Sequence, residues 1–358
     1  MSLQFNKLTI KEIQKETTDC VSIVFDVPKE LQKLYSFKQG QYLTVKKEIR
    51  GESVRRNYSI CSSPLDHELK IAVKKIPYGV FSSFANDVLR KGDVLEVMPA
   101  AGKFFTELSA DNKNNYFAFA AGSGITPILS IIKTTLQTEP NSSFTLVYGN
   151  RNRYSILFKE AIEAFKNKWL NRFRVIYILS REKTETDLHF GRIDAEKCEL
   201  ILNSTIHPEN ISAFFLCGPE EMIFSVKDFL EKKGIEKNKI HFELFNIDNK
   251  KKATHTCTII AAENKLISNI TVKQDGRSFD FLLAYNGNSI LNAAMETGAD
   301  LPFACKKGVC CTCKAKLLEG EVEMDRVYGL EPDEIDQGYI LTCQSHPRTE
   351  KIVVDFDI

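Results

Sequence analysis

The chain has 358 residues, long enough for two or three separately packed domains. Its composition, 43% hydrophobic and 27% charged, excludes a disordered or low-complexity chain. Forty-eight basic residues against 47 acidic ones leave a net charge of +1, which excludes a general nucleic-acid binder.

That balance hides an asymmetry. Residues 264–358 hold 10 Lys/Arg against 15 Asp/Glu, a net of −5, so the residues before them carry +6. The opening MSLQFNKLTIKEI lacks the basic and apolar regions of a signal peptide, and no run approaches the ~20 apolar residues of a membrane span. A cytoplasmic protein with no membrane and no nucleic-acid partner is expected. Ten cysteines in that compartment point to thiolate ligands or inert thiols rather than a disulfide framework.

Residues 1–108 alternate short β-like runs with turns: LTIKEI, CVSIVFDV, QYLTVKK, YSICSS, LKIAVKK and DVLEVMP. Such spacing predicts an antiparallel β-barrel. Within it, Arg56-Asn57-Tyr58-Ser59 combines a guanidinium suited to a phosphate with an aromatic ring two residues on, on the same strand face. A four-residue motif alone reads more readily as structure. Further on, a strand over Lys70–Lys75, which contains Lys74, leads to Gly79-Val80-Phe81-Ser82 at the start of a helix over 82–90. Free N–H groups there would suit a pyrophosphate.

Residues 109–245 change to strand–helix alternation. YFAFAA, FTLVYG, FRVIYIL, AFFLCG and HFELF are buried-type strands, and PILSIIKTTLQ, ILFKEAIEAFKNKW and PEEMIFSVKDFLEKK are helical. This predicts an α/β domain with a parallel sheet; after FRVIYIL only a loop is expected. Gly122 and Gly124 end the first strand, and Pro127 suits a first helical turn. Leu216-Cys217-Gly218-Pro219 repeats the strand-to-helix pattern, so both turns should meet at the carboxyl end of the sheet, where nucleotides bind. Ser180 and Arg181, with help from Arg151, suit the 2′-phosphate of NADPH; the adjacent Glu182 speaks for NADH.

Residues 246–266 read as a linker. Over 267–358 come two strands joined by Asp-Gly, the helix SILNAAMETG, and a cysteine loop, CKKGVCCTC. Cys305, Cys310 and Cys313 have the spacing C-x4-C-x2-C, and Cys343 follows, as in plant-type 2Fe–2S ferredoxins. A four-cysteine zinc site is the alternative. Cys311 is off the spacing, and Cys20, Cys61, Cys198 and Cys257 read as inert thiols. Glu319 to Asp336 contain eight carboxylates against one arginine: a solvated face, or a surface that steers docking.

Residues 267–358 resemble a plant-type ferredoxin domain, and R-N-Y-S, G-V-F-S and P-A-A-G-K-F resemble the flavin barrel of the ferredoxin–NADP reductase superfamily. The resemblance implies an α+β, β-grasp fold for the last domain. It implies FAD held by Arg56, Asn57, Lys74 and Gly79–Ser82, with Tyr58 stacked on its ring and Ser59 beside its reactive nitrogen. It also implies Thr126 and Cys217 near the nicotinamide, and Glu243 and Phe245 at the flavin face. The domain order resembles the single-chain oxygenase reductases, in particular the reductase subunits of phenylacetyl-CoA epoxidases in aromatic catabolism. Electrons would run from NADPH through FAD and a 2Fe–2S cluster to a multicomponent oxygenase. A Rieske dioxygenase, steroid hydroxylase or desaturase is the alternative acceptor, and a redox sensor the alternative class.

Overall fold

A computed structural model describes residues 4–205, 208–245 and 266–357. The expected linker therefore lies outside the described residues except for Leu266, and Cys257 lies outside them as well. Residues Phe5–Val54 and Tyr58–Ile247 make up one compact unit, and a second is centred on the C-terminal sheet.

The first sheet holds β1 (Asn6–Thr17), β2 (Cys20–Asp26), β3 (Tyr42–Ile49), β4 (Glu52–Ser59), β5 (Leu69–Lys74) and β6 (Val94–Val97), with the helix α1 (Val80–Asp87) between the last two. Their order is β4-β3-β6-β1-β2-β5. An antiparallel bridge from Ile60 to Ile71 joins the chain just past β4 to β5, so the two outer strands meet and the sheet closes as a barrel. Leu8, Ile23, Leu43, Ile60, Ile71 and Val97 fill its interior. The strand expected at YSICSS begins earlier, at Glu52, with Val54 and Arg55 buried within it despite the charge of ESVRRN. It ends earlier because the Ser62 and Ser63 hydroxyls make local turn bonds to Glu68 O and from Leu65 N.

The second sheet holds β7 (Asn115–Ala121), β8 (Ser143–Asn150), β9 (Phe173–Leu179), β10 (Ala213–Gly218) and β11 (Ile240–Leu244), all parallel, in the order β11-β10-β7-β8-β9. Its helices are α2 (Ile125–Thr138), α3 (Lys159–Lys168), α4 (Ala195–Thr205) and α5 (Glu220–Lys232). The direction of winding reverses between β7 and β10, the crevice where open α/β sheets take their ligands. Helix α4 replaces the loop expected there. Its buried Cys198, Ile201 and Leu202 fall at helical spacing, but three such positions among AEKCELILNST, with Leu200 exposed between them, are a faint signal.

Barrel and parallel sheet share one compact unit. Ser130 Oγ on α2 donates to Ser62 O at 2.6 Å, the Ser63 and Thr134 hydroxyls meet at 2.9 Å, and the Phe104 ring stands edge-on to Phe215 with centroids 5.7 Å apart. These contacts fix the chain just past β4 against α2, and Phe104 against β10.

The third sheet holds β12 (Ile267–Gln274), β13 (Arg277–Ala284), β14 (Lys314–Glu319), β16 (Tyr339–Leu341) and β18 (Lys351–Asp355), while β15 (Val322–Met324) pairs with β17 (Ser345–Pro347). Helix α6 (Ile290–Glu296) and the short α7 (Pro332–Asp336) complete it. Its β12–β18 pair is parallel and its other registered pairs antiparallel, and Ile290, Leu291 and Ala294 of α6 pack into its core. This is the expected β-grasp arrangement.

Candidate active site

On β4, Arg56 is exposed, Asn57 and Tyr58 are half-buried and Ser59 is buried, so burial deepens toward the end of the strand. The Tyr58 ring lies 5.5 Å from that of Phe81 at 35°. Phe81 is 1% exposed and belongs to the barrel core, whereas Val80 remains exposed at the helix start. Ser82 is buried too; its hydroxyl accepts from Ile76 N at 3.3 Å and donates to Gly79 O at 3.4 Å, closing the turn into α1. What α1 offers a ligand is therefore its first-turn backbone rather than the Ser82 hydroxyl. Lys74 on β5 stands 3.7 Å from Asp19.

At the crevice between β7 and β10 the two turns touch. A Cβ on Gly124 would fall 2.1 Å from Cys217 O, so only glycine permits this approach. Gly122 O accepts from the buried Tyr148 hydroxyl at 3.0 Å, which fixes the turn. Thr126 and Pro127 are buried in the first turn of α2, and Thr126 Oγ1 donates to Ser123 O at 3.0 Å. Gly218 and Pro219 lead from β10 into α5.

Cys217 and Glu243 lie opposite each other in the β10–β11 register. Ser59 Oγ donates to Glu243 Oε2 at 2.9 Å, which joins the barrel strand to the last strand of the parallel sheet. Burial raises the Glu243 carboxyl to about 7, against the opposing pull of the Ser59 hydrogen bond. Burial, then the Glu243 charge, raises the Cys217 thiol well above its ordinary value. Phe245 packs partly buried against the same core. The structure thus gathers Ser59, Cys217, Glu243 and Phe245 near one edge.

Past the ends of β8 and β9, Ser180 N donates to Asn150 O and Arg181 N to Arg151 O, both at 2.8 Å, so pairing continues beyond the strands. Arg151 and Arg181 are exposed, and neither guanidinium has an ionic partner among the described residues. Glu182 is held by Arg153, whose Nε and Nη2 both reach Oε1 at 2.5 Å. Arg153 escaped the sequence reading, which had no means of pairing residues 29 apart.

In the C-terminal sheet, the cysteines gather in pairs. Cys305 and Cys310 sulfurs are 3.1 Å apart, and Cys313 shares a thiol hydrogen bond with Cys343. The Cys310 thiol, then the backbone N–H groups of Lys307, Cys310 and Val309, pull the Cys305 thiol down to about 5. Gly308 permits the loop to pack on the next segment, since a Cβ there would lie 2.8 Å from Arg326 O. Cys311 instead donates its thiol to Gly329 O at 3.2 Å. Gln344, a second residue the sequence reading missed, donates to Lys306 O at 3.2 Å and approaches Cys343 Sγ at 3.6 Å. A glutamine directly after a cysteine was the available signal.

These donor sets fit their groups. The two thiol pairs, Cys305 with Cys310 and Cys313 with Cys343, could supply two ligands to each of two irons. The half-buried Tyr58 ring and the first turn of α1 suit the ring and phosphates of a flavin.

Fold and sites together define an oxidoreductase that links a pyridine nucleotide to an iron–sulfur centre through a flavin. Residues 7–106 match the oxidoreductase FAD-binding domain, 119–228 the oxidoreductase NAD-binding domain and 272–348 the 2Fe-2S iron-sulfur cluster binding domain. The chain is 44% identical over 353 residues to one of the subunits of the 1,2-phenylacetyl-CoA epoxidase of Escherichia coli (strain K12), covering 99% of this chain and 98% of the relative. It is 32% identical to the ferredoxin reductase component of the 3-ketosteroid-9-alpha-monooxygenase of Rhodococcus rhodochrous, covering 98% and 96%. The fold matches phthalate dioxygenase reductase with a TM-score of 0.60 at 23% identity, covering 98% of both chains. The chain belongs to the ferredoxin–NADP reductase family, among the members with a C-terminal 2Fe–2S domain. No helix among the described residues is long and apolar enough to cross a membrane.

Proposed function

We propose that this reductase takes electrons from NADPH and delivers them to a multicomponent oxygenase of the phenylacetyl-CoA epoxidase type, in the catabolism of activated aromatic acids. The observation that carries the acceptor is 44% identity, along the full chain, to a component of such an epoxidase. FAD supplies the conversion of a transferred hydride into single electrons, and the 2Fe–2S cluster relays them. We assign FAD to 1–108, the nucleotide to 109–245 and the cluster to 267–358, with 246–266 as linker.

In this reading Arg56 and Asn57, Lys74 and the Gly79–Ser82 backbone bind the FAD phosphates, and Tyr58 orients its ring. Gly122, Gly124, Thr126, Pro127, Gly218 and Pro219 form the nucleotide cradle, with Cys217 excluding water beside it. Glu243 and Ser59 hold a proton between them at the flavin face, and Phe245 shields that face. Cys305, Cys310, Cys313 and Cys343 hold the cluster as thiolates, in keeping with a cytoplasmic location. NADPH is favoured over NADH because Arg151 and Arg181, joined by a backbone hydrogen bond, are both exposed without ionic partners among the described residues, while the neighbouring Glu182 is occupied by Arg153.

Reconstitution tests the acceptor. The purified reductase with NADPH should support turnover by the oxygenase components of the epoxidase and steady reduction of cytochrome c. Turnover with a Rieske-type steroid monooxygenase but not with the epoxidase would favour the second reading, which the 32% relative supports. Reduction for a single turnover alone would favour a sensor.

A further inference from the structure

We propose that Arg153 determines coenzyme choice by holding Glu182 away from the 2′ position of the bound nucleotide. This rests on the NADPH reading above and adds a residue that acts through a carboxylate rather than on the coenzyme.

The segment that presents Arg153 is built to be stiff. Asn152 Oδ1 accepts from Tyr154 N and Ser155 N, both at 3.1 Å, and Ser155 Oγ accepts from Asn152 N at 3.1 Å, a reciprocal cap on a single 3-10 turn. From that turn Arg153 grips Glu182 with backbone and side chain. Its N–H donates to Oε2 at 2.9 Å, and Nε and Nη2 both reach Oε1. The Glu182 side chain is 21% exposed and that of Arg153 61%, so the guanidinium lies on the solvent side of the carboxylate.

Glu182 directly follows Arg181, and Arg181 is joined by backbone pairing to Arg151. Arg151, Arg181 and Lys183 are exposed and have no ionic partner among the described residues. With Glu182 clamped, this corner presents uncompensated positive charge, the field a phosphate monoester needs. Released, the same carboxylate would repel a 2′-phosphate. It would also accept from the 2′-hydroxyl of NADH, the role an acid plays at this end of a nucleotide fold. Arg153 is therefore a positioning residue, and removing it should change the ratio of coenzymes rather than activity in general.

The test is kcat/KM with NADPH and with NADH for the FAD- and cluster-loaded wild type, Arg153→Ala, Glu182→Gln and the double variant. Arg153→Ala should lower kcat/KM for NADPH about tenfold, the scale of one partly screened like-charge contact, and leave that for NADH unchanged or raised. Glu182→Gln alone should keep NADPH use at or above wild type. The double variant should return to within about twofold of wild type, because no carboxylate remains to be released. Equal loss with both coenzymes would make the pair merely structural and overturn the proposal. Failure of the double variant to recover would show Arg153 acting on the phosphate directly and overturn it too. The coenzyme reading fails separately: a wild type that prefers NADH, with NADPH use insensitive to Arg181→Ala, would reject that reading and remove the clamp's premise.

Discussion

Ser59 Oγ and Glu243 Oε2 meet at 2.9 Å, a hydrogen bond between the last residue of a barrel strand and the last strand of the parallel sheet. Because burial holds Glu243 near 7, this pair changes protonation in the physiological range. We expect the rate of flavin reduction, followed by stopped flow as loss of visible flavin absorbance, to show an ionisation near 7. Glu243→Gln should abolish that ionisation, and Ser59→Ala should shift it upward, since the Ser59 bond favours the charged carboxylate. A pH profile unchanged in both variants would remove the pair from the chemistry.

The same carboxyl should be visible in stability. Its folded pKa lies above the ordinary value, so the folded protein binds a proton that the unfolded chain has already lost between about 4.5 and about 7. The stability it contributes is complete below that window and falls as pH rises through about 7. Glu243→Gln should therefore be stabilising above that pH, by ~1–3 kcal/mol, and nearly neutral near pH 5, read from denaturant midpoints at the two pH values.

Gly124 joins the two halves of the nucleotide crevice by backbone contact. Gly124→Ala would put a methyl carbon 2.1 Å from Cys217 O, and neither backbone can yield without opening the β7–β10 junction. A loss of ~2 kcal/mol or more in stability is expected, together with weakened binding of NADP+ by calorimetry. A variant as stable and as avid as wild type would place the coenzyme elsewhere.

The cluster assignment predicts that serine at Cys305, Cys310, Cys313 or Cys343 bleaches the iron–sulfur absorbance and leaves FAD bound. Cys311→Ser should keep the cluster, because its thiol faces Gly329 O and a hydroxyl can still donate there. Loss of the cluster in Cys311→Ser with retention in Cys310→Ser would reverse the assignment.

Arg181→Ala should raise KM for NADPH with little effect on NADH. One lost charge-assisted contact corresponds to ~1.5–3 kcal/mol, or roughly 10–150-fold. Equal effects on both coenzymes would show that Arg181 does not meet the 2′-phosphate.

Legibility in the sequence followed the range of the interactions. The strands from β7 to β11 could be read because each is a continuous apolar run between turns, and the cysteine loop because three of its four proposed ligands lie within nine residues. Helix α4 was missed because its buried face has only Cys198, Ile201 and Leu202. The grip of Arg153 on Glu182 and the cap of Gln344 over the cysteine loop join residues 29 and 38 apart, and no periodicity encodes such pairs. Ser82 shows the converse: a hydroxyl at a helix start looks ready for a phosphate, yet the turn at Gly79 already occupies it.

The acidic stretch between Glu319 and Asp336 divides once its partners are known. Glu319 pairs with Lys351, Glu323 with Arg348, Asp325 with His346 and Glu334 with Lys314, so half of its eight carboxylates meet a basic side chain within the domain. Glu334 is also 6% exposed and closes a capping box with Glu331 at the start of α7, so reversing its charge would test folding rather than docking. Asp333 and Asp336, by contrast, are exposed on α7 and pair with no cation among the described residues. Such charges alter encounter rates more than bound-state affinity. Changing Asp333 and Asp336 together to Lys should slow electron delivery to the oxygenase severalfold at low salt and flatten its dependence on ionic strength, with flavin-to-cluster transfer unaltered. Stopped-flow traces of the two steps at several salt concentrations separate them. If both rates and both salt profiles match wild type, the face of α7 is solvated surface and the acceptor docks elsewhere.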